Sequence, residues 1–262
     1  MDGAANALRE DLVKITAGLI LRNERHRYLE YALANLLEFV DEIAVLDDGS
    51  TDGWEELIPR RAPVRVLRVD DADRDTQPAF HRHAIARNRL LQHTLESDPD
   101  WVIASDADEL FSDGPAIRRL AETTRADALS AVIAEVWEIC DERLCVREDG
   151  GWRSHPISVA WRTAPLRRSA LSLADKQTAT GRVPDAVHRV AAEFTGEALF
   201  HFGWADPSER AERFRRYPPG SGHANSHVAS IMWPASRVKL EGWAWTPGVE
   251  RWKRELLAKV AT

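Results

Sequence analysis

Cysteine is scarce. Cys140 and Cys145 are the only two in 262 residues, too few for a disulfide framework and not spaced as Cys-x-x-Cys. They read as reduced strand residues of a cytosolic protein. No apolar run approaches the roughly 18 residues of a membrane span, and Met1-Asp2-Gly3-Ala4-Ala5 lacks the basic and apolar segments of a secretion signal. The expected location is therefore the cytoplasm, with no membrane span. Internal repeats and low-complexity stretches are missing, which excludes solenoids and disordered scaffolds. Lysine occurs only at 14, 176, 239, 253 and 259; arginine supplies the other cations.

What is present describes a globular chain, 44% hydrophobic and 29% charged, long enough for one substantial core. The net charge of −7 hides an asymmetry. Residues 1–150 carry 18 Lys and Arg against 32 Asp and Glu, whereas residues 151–262 carry 17 against 10. Such a split either marks an anionic partner for the basic half or neutralises an acidic, cation-binding half. Both readings stand at this point.

The periodicity of the first half alternates. Residues 13–21, 43–46, 64–69 and 101–105 read as strands. Helical spacing covers 29–40 and 79–95, and a short helix starts at Trp54. This order predicts a mostly parallel sheet with helices on both faces. Right-handed crossovers then put residues 22–24, 47–52 and 106–109 along one edge, the edge where open α/β sheets bind ligands. Further strands are expected at 131–139, 143–147 and 157–161, and helices at 207–217 and 249–260. Seven tryptophans fall in the carboxyl half, at 152, 161, 204, 233, 243, 245 and 252, most of them expected in the core.

The chemistry concentrates where Trp101-Val102-Ile103-Ala104-Ser105 stops in Asp106-Ala107-Asp108-Glu109. Hard cations bind through one or two carboxylates plus substrate phosphate oxygens. Two acids at a strand end therefore suffice to hold Mg²⁺ or Mn²⁺ against a diphosphate. Taken alone the triplet is equally a turn or a helix cap, and Ser50 or Thr51 in Asp47-Asp48-Gly49-Ser50-Thr51-Asp52-Gly53 can cap the helix at Trp54.

Leu19-Ile20-Leu21-Arg22-Asn23-Glu24, Leu46 to Gly53, Ala86-Arg87-Asn88 and Ser105 to Glu109 together resemble the nucleotide-sugar glycosyltransferases of the GT-A fold, especially the inverting family 2. The resemblance covers residues 13–112 well. It implies a Rossmann-like α/β domain spanning 1–262, with a nucleotide-sugar and metal half to about residue 150 and an acceptor-side carboxyl-terminal extension from about 151. It further implies donor contacts from Arg22, Asn23 and Glu24. Asp47 or Asp48 would meet the base, commonly uracil, with Gly49 allowing close approach, and Arg87 would contact the nucleotide. Asp106 and Asp108 would carry the ribose contact and the metal. His201, in His201-Phe202-Gly203-Trp204, resembles a late metal-binding histidine, and an imidazole tilts the choice toward Mn²⁺.

Inversion at the anomeric carbon requires a carboxylate to deprotonate the acceptor hydroxyl. Asp141 is the first expectation, because a polar turn begins there; Glu138 and Glu109 follow, and Glu135, Glu142 and Asp175 are further acids in range. The expected reaction is transfer of a hexose from UDP to a hydroxyl. The charge asymmetry, with the Trp and Arg content of the second half, extends the acceptor expectation to an anionic one such as a flipped hydroxymethylated base in DNA. Protein- or saccharide-directed transfer, a sugar nucleotidyltransferase and a non-catalytic nucleotide-sugar binding module are the alternatives. A nucleotidyltransferase usually has a glycine-rich amino-terminal loop, and Gly18 is the only glycine in or near the first strand.

Overall fold

A computed structural model describes residues 13–69, 79–166, 181–216, 230–233 and 237–260. The chain begins with β1 (Ile15–Leu21), α1 (Leu29–Leu36) and β2 (Glu42–Asp47), then a 3₁₀ turn at Trp54–Leu57 and β3 (Val64–Arg68). Next come α2 (Ala79–Leu95), β4 (Trp101–Asp106), β5 (Glu109–Phe111) and α3 (Gly114–Thr123). The second half contributes β6 (Ala128–Ile139), β7 (Leu144–Arg147), β8 (His155–Arg162), β9 (Ala192–His201) and α4 (Pro207–Arg216), and ends in β10 (Leu240–Trp243), α5 (Pro247–Glu250) and α6 (Lys253–Val260).

The expected parallel sheet is present: β3, β2, β1 and β4 lie side by side and all parallel. Their apolar runs are buried on both faces, which is why they read as continuous rather than alternating. Val45, Leu19 and Ile103 are each at most 1% exposed. The remaining strands extend the sheet through antiparallel pairs in the order β4-β8-β6-β7-β10. Strand β9 runs parallel to β6 and pairs antiparallel with β5.

One face of the parallel strands is covered by α1 and α3, where Leu29, Leu33, Leu36, Phe39, Phe111, Ile117 and Ala121 share one core. Fully burying each such Leu or Phe contributes about 1.5–3 kcal/mol. Helix α2 covers the other face with Leu90 against Leu46, and with Leu91 near Val102, Ala104 and Trp161. Beyond β6, Val136, Phe200, Phe202 and Leu256 form a further apolar layer beneath α6. Trp152, Trp161 and Trp204 are buried, and Trp243, Trp245 and Trp252 pack against that layer, so aromatic bulk in this half builds core, as expected.

Candidate active site

The sheet register aligns three chain turns. Ile20 of β1 lies opposite both Leu46 of β2 and Asp106 of β4, so Leu21, Asp47 and Asp106 end at the same edge. Asn23 adopts a left-handed φ of 55°, which an asparagine tolerates. Its N–H donates to Ser50 Oγ (2.9 Å) and its Oδ1 accepts from the Thr51 N–H (2.8 Å). These bonds stitch the loop after β1 to the loop after β2. Gly49 turns the second loop with φ 73°, a conformation that favours glycine.

Asp47 and Asp48 have different surroundings. Asp47 is fully buried, accepts hydrogen bonds from the Ser50 N–H (2.7 Å) and Trp54 Nε1–H (3.2 Å), and pairs with Arg68 Nε at 3.2 Å. Its carboxylate holds the turn, so of the two acids expected to meet the base it is the one turned inward. Asp48 lines the cleft instead.

That cleft, about 920 Å³, is walled by Arg22, Asn23, Glu24, Asp48, Arg87, Asp106, Asp108, His201, Trp204 and Arg213. Gly49 is not among its lining residues. Arg87 Nη2 donates to both oxygens of Asp106, at 2.7 and 3.0 Å, and Arg182 Nη2 to Asp106 Oδ2 at 3.1 Å. Burial opposes ionisation of Asp106, yet these two guanidiniums hold its carboxyl well below the usual carboxylate range. Asp108 is buried, with His201 Nε2 3.4 Å from Oδ1 and Arg213 Nη2 on Oδ2. It too stays ionised against burial, through His201 and Arg213.

His201 is positioned by sheet pairing. Register places it opposite Glu109 across β5–β9 and opposite Glu135 across β9–β6. Its Nδ1 donates to Glu135 Oε2 at 2.5 Å, which leaves Nε2 toward Asp108. Burial lowers the imidazole's proton affinity, but Glu135 and Asp108 outweigh it and raise the pKa well above the ordinary value. Gly203 permits this packing. A Cβ there would fall 2.5 Å from Asp108 Oδ2 and 2.7 Å from Arg213 Nη1. A carboxylate behind a histidine whose other nitrogen faces a second carboxylate is the outer-shell arrangement of metal-binding histidines. Asp108 and His201 therefore fit a divalent cation. Asp106, drawn away by Arg87 and Arg182, does not join them in a compact three-residue ligand set.

Glu24 sits beside this pair. Burial, above all, with Asp108 and Glu209 adding to it against Arg27 and Arg213, raises its pKa to about 7. Its Oε1 accepts from Arg27 at 3.0 Å, while Oε2 is buried without a partner.

The acids expected as catalytic base fare differently. Asp141 lies on the β6–β7 turn, 86% exposed and 3.5 Å from Lys253, in a shallow groove walled by α5 and α6 residues. It is not among the residues that line the cleft, so the structure does not bring it to the other site residues. Glu138 stands beside Cys140 and Cys145 rather than in the cleft. Glu109 underlies the cleft floor: it is 1% exposed, bonds the Asp106 N–H at 2.9 Å and pairs with Arg182. Burial raises its pKa. Asp175, Arg167 and Arg168 lie outside the described residues.

Part of the charge asymmetry is resolved inside the molecule. Arg182 and Arg213, from the basic half, neutralise Asp106, Glu109 and Asp108 of the acidic half. Arg147 is buried against Asp149 and over Trp137 and Trp152, and Arg162 donates to the carbonyls of Thr124 and Ala126. The i,i+4 placement of Glu209 and Arg213 on α4 was the signal available in the sequence, since it gives Arg27 and Asp108 neighbouring partners.

Fold and cleft together define a Rossmann-like α/β protein with a polar cleft at the carboxyl edge of its parallel strands. Residues 17–156 match the model of Glycosyl transferase family 2, and the chain belongs to that family, with the GT-A type of fold. "Uncharacterized protein Rv3786c" of Mycobacterium tuberculosis is 26% identical over 195 residues, 73% of this chain and 47% of its own length. The chain thus spans about half the length of the curated relatives it matches. Glucosyl-3-phosphoglycerate synthase of M. tuberculosis, solved with Mn²⁺, UDP-glucose and phosphoglyceric acid, is similar at 20% identity and a TM-score of 0.32, over 46% of this chain and 44% of that one. A structure described as a mycobacterial protein aligns with 88% of this chain and 84% of its own, at 14% identity and a TM-score of 0.44.

Proposed function

We propose that the protein is a metal-dependent glycosyltransferase that moves a hexose from a UDP-sugar to a hydroxyl acceptor. The observation that carries this reading is the Glu135–His201–Asp108 relay opening into the same cleft as Asp48 and the Arg87–Asp106 pair. A divalent cation held by Asp108 and His201, Mn²⁺ in preference to Mg²⁺, would offset the charge that builds on the diphosphate as the anomeric bond breaks. Glu135 keeps the proton on Nδ1, so Nε2 is the nitrogen that would hold the cation. Asp48 accepts a hydrogen bond from the uracil, Arg22, Asn23 and Glu24 flank the nucleotide, and Arg87 fixes Asp106 for the ribose. Trp204 walls the cleft beside His201 and limits water.

Inversion is part of the proposal, with the base drawn from the carboxylates that line the cleft rather than from Asp141 or Glu138. The acceptor is an anionic hydroxyl compound able to enter a cleft bordered by Arg22, Arg27 and Arg82. The DNA-directed reading drew on the positive balance of residues 151–262, and two of those cations, Arg182 and Arg213, pair inward with Asp106 and Asp108 rather than facing a polyanion.

The test is turnover of labelled UDP-sugars with Mn²⁺. Release of UDP, abolished by EDTA and restored by Mn²⁺ better than by Mg²⁺, is the expected result. A sugar nucleotidyltransferase would instead form nucleotide-sugar and pyrophosphate from nucleoside triphosphate and sugar phosphate. A binding module would turn over neither.

A further inference from the structure

The β6–β7 hairpin holds a cluster that the cleft chemistry does not use. Register pairs Glu138 with Cys145 and Ile139 with Leu144. The turn is closed by the Cys140 N–H donating to the Arg143 carbonyl (3.0 Å) and the Arg143 N–H to the Cys140 carbonyl (3.3 Å). Ile139 and Leu144 enter the apolar layer with Phe200 and Leu256. By strand alternation, Glu138, Cys140 and Cys145 therefore share the opposite face. One ligand atom from each of the three lies within 4.8 Å of the other two, and the two Sγ atoms are 3.4 Å apart.

We propose that Glu138, Cys140 and Cys145 form a site for a thiophilic divalent cation such as Zn²⁺, separate from the cleft. Two thiolates bound at about 2.3 Å in a tetrahedral shell stand about 3.8 Å apart, within a few tenths of an ångström of the spacing present. The competing use of the pair, a disulfide, fits less well. Cys140 and Cys145 occupy diagonal positions of the hairpin, where α-carbons are about 7–8 Å apart, beyond the roughly 4.4–6.8 Å that a disulfide spans without backbone movement. A metal bridges that diagonal through the side chains alone. Each thiol gives its proton to solvent as its sulfur–metal bond forms, so no oxidant or reductant is involved. Glu138 supplies the third donor, and water completes the shell at the half-buried Cys140 end. Arg143 lies near Cys140 and Arg210 near Glu138, so positive charge borders the cluster. Closing this hairpin would brace β6, the strand that presents Glu135 to His201.

Titration of the reduced protein with Co²⁺ tests the site. The expected result is a sulfur-to-cobalt charge-transfer absorption that Zn²⁺ displaces, that persists in Asp108→Asn, and that disappears in Cys140→Ser. Glu138→Gln should weaken cobalt binding while keeping the absorption at high cobalt. Because Cys140 is half-buried, the serine variant should keep the native circular dichroism; Cys145→Ser provides a second arm. Absence of the absorption in protein whose two thiols titrate as free overturns the proposal. So does an absorption that survives in folded Cys140→Ser, or a stable disulfide as the resting form of the pair. None of these readouts depends on glycosyl transfer.

Discussion

Replacing Glu135 by Gln keeps the volume behind His201 and removes one charge. The 2.5 Å contact from His201 Nδ1 to Glu135 Oε2 changes from a charge-assisted hydrogen bond, about 1.5–3 kcal/mol, to a neutral one, about 0.5–1.5 kcal/mol. Roughly 1–2 kcal/mol of support for ring orientation and for the Nδ1 proton is lost. That is about 5–30-fold, the lower part of the about 10–100-fold by which losing an outer-shell partner of this kind typically weakens metal affinity. A calorimetric Mn²⁺ titration with UDP present should show this weakening. The Mn²⁺ needed for half-maximal donor hydrolysis should rise in parallel, with the rate at saturating Mn²⁺ largely kept. The His201 pKa should also fall, because one of the two carboxylates raising it has gone. A raised histidine pKa contributes stability that is fully present below the unfolded value and lost as pH rises through the folded one. In metal-free Glu135→Gln that loss should therefore occur at lower pH than in the wild type. A folded variant with wild-type Mn²⁺ affinity refutes the reasoning.

The two adjacent aspartates should differ. Asp47→Ala strands the buried Trp54 and Ser50 donors and should lower stability by about 2–4 kcal/mol in urea melts, whereas Asp48→Ala should weaken UDP binding by about 1.5–3 kcal/mol. Gly203→Ala pushes a methyl into Asp108 and Arg213, so Mn²⁺ binding should be lost at a stability cost of about 1–3 kcal/mol. Glu24→Gln tests burial of a carboxyl raised from 4.5 to about 7. The wild type should lose stability relative to this variant as pH rises through that window, by roughly 3 kcal/mol once complete; parallel pH profiles in metal-free buffer would contradict it.

The parallel half of the fold was legible because its signals are local. Strands β1, β2 and β4 announce themselves as apolar runs ended by polar clusters, and α2 by spacing that held from Ala79 to Leu95. Strands β5 and β9 were not legible. Glu109–Phe111 is three residues long, and Ala192–His201 is exposed at its start and buried only near its end, so neither shows clean alternation. Their pairing nevertheless assembles Asp108, His201 and Glu135. The residue types proposed to hold the cation were readable one at a time, while their contact is a long-range register fact. The choice between Asp47 and Asp48 was equally closed to sequence, since it turns on which carboxylate Trp54 and Arg68 capture. Asp141 misled because a polar turn after a strand says nothing about which end of the sheet it occupies. Helix α3 had a signal that went unread: Asp113 caps the Ala116 N–H at 2.8 Å and a proline stands in the first turn.

The most direct measurement of the central claim is UDP binding by calorimetry in three settings: wild type with Mn²⁺, wild type with EDTA, and Asp108→Asn with Mn²⁺. If Asp108 and His201 hold the cation against the diphosphate, UDP binds the first and is weaker by roughly tenfold or more in the other two, with both proteins equally folded. UDP affinity that is the same in all three would contradict the account.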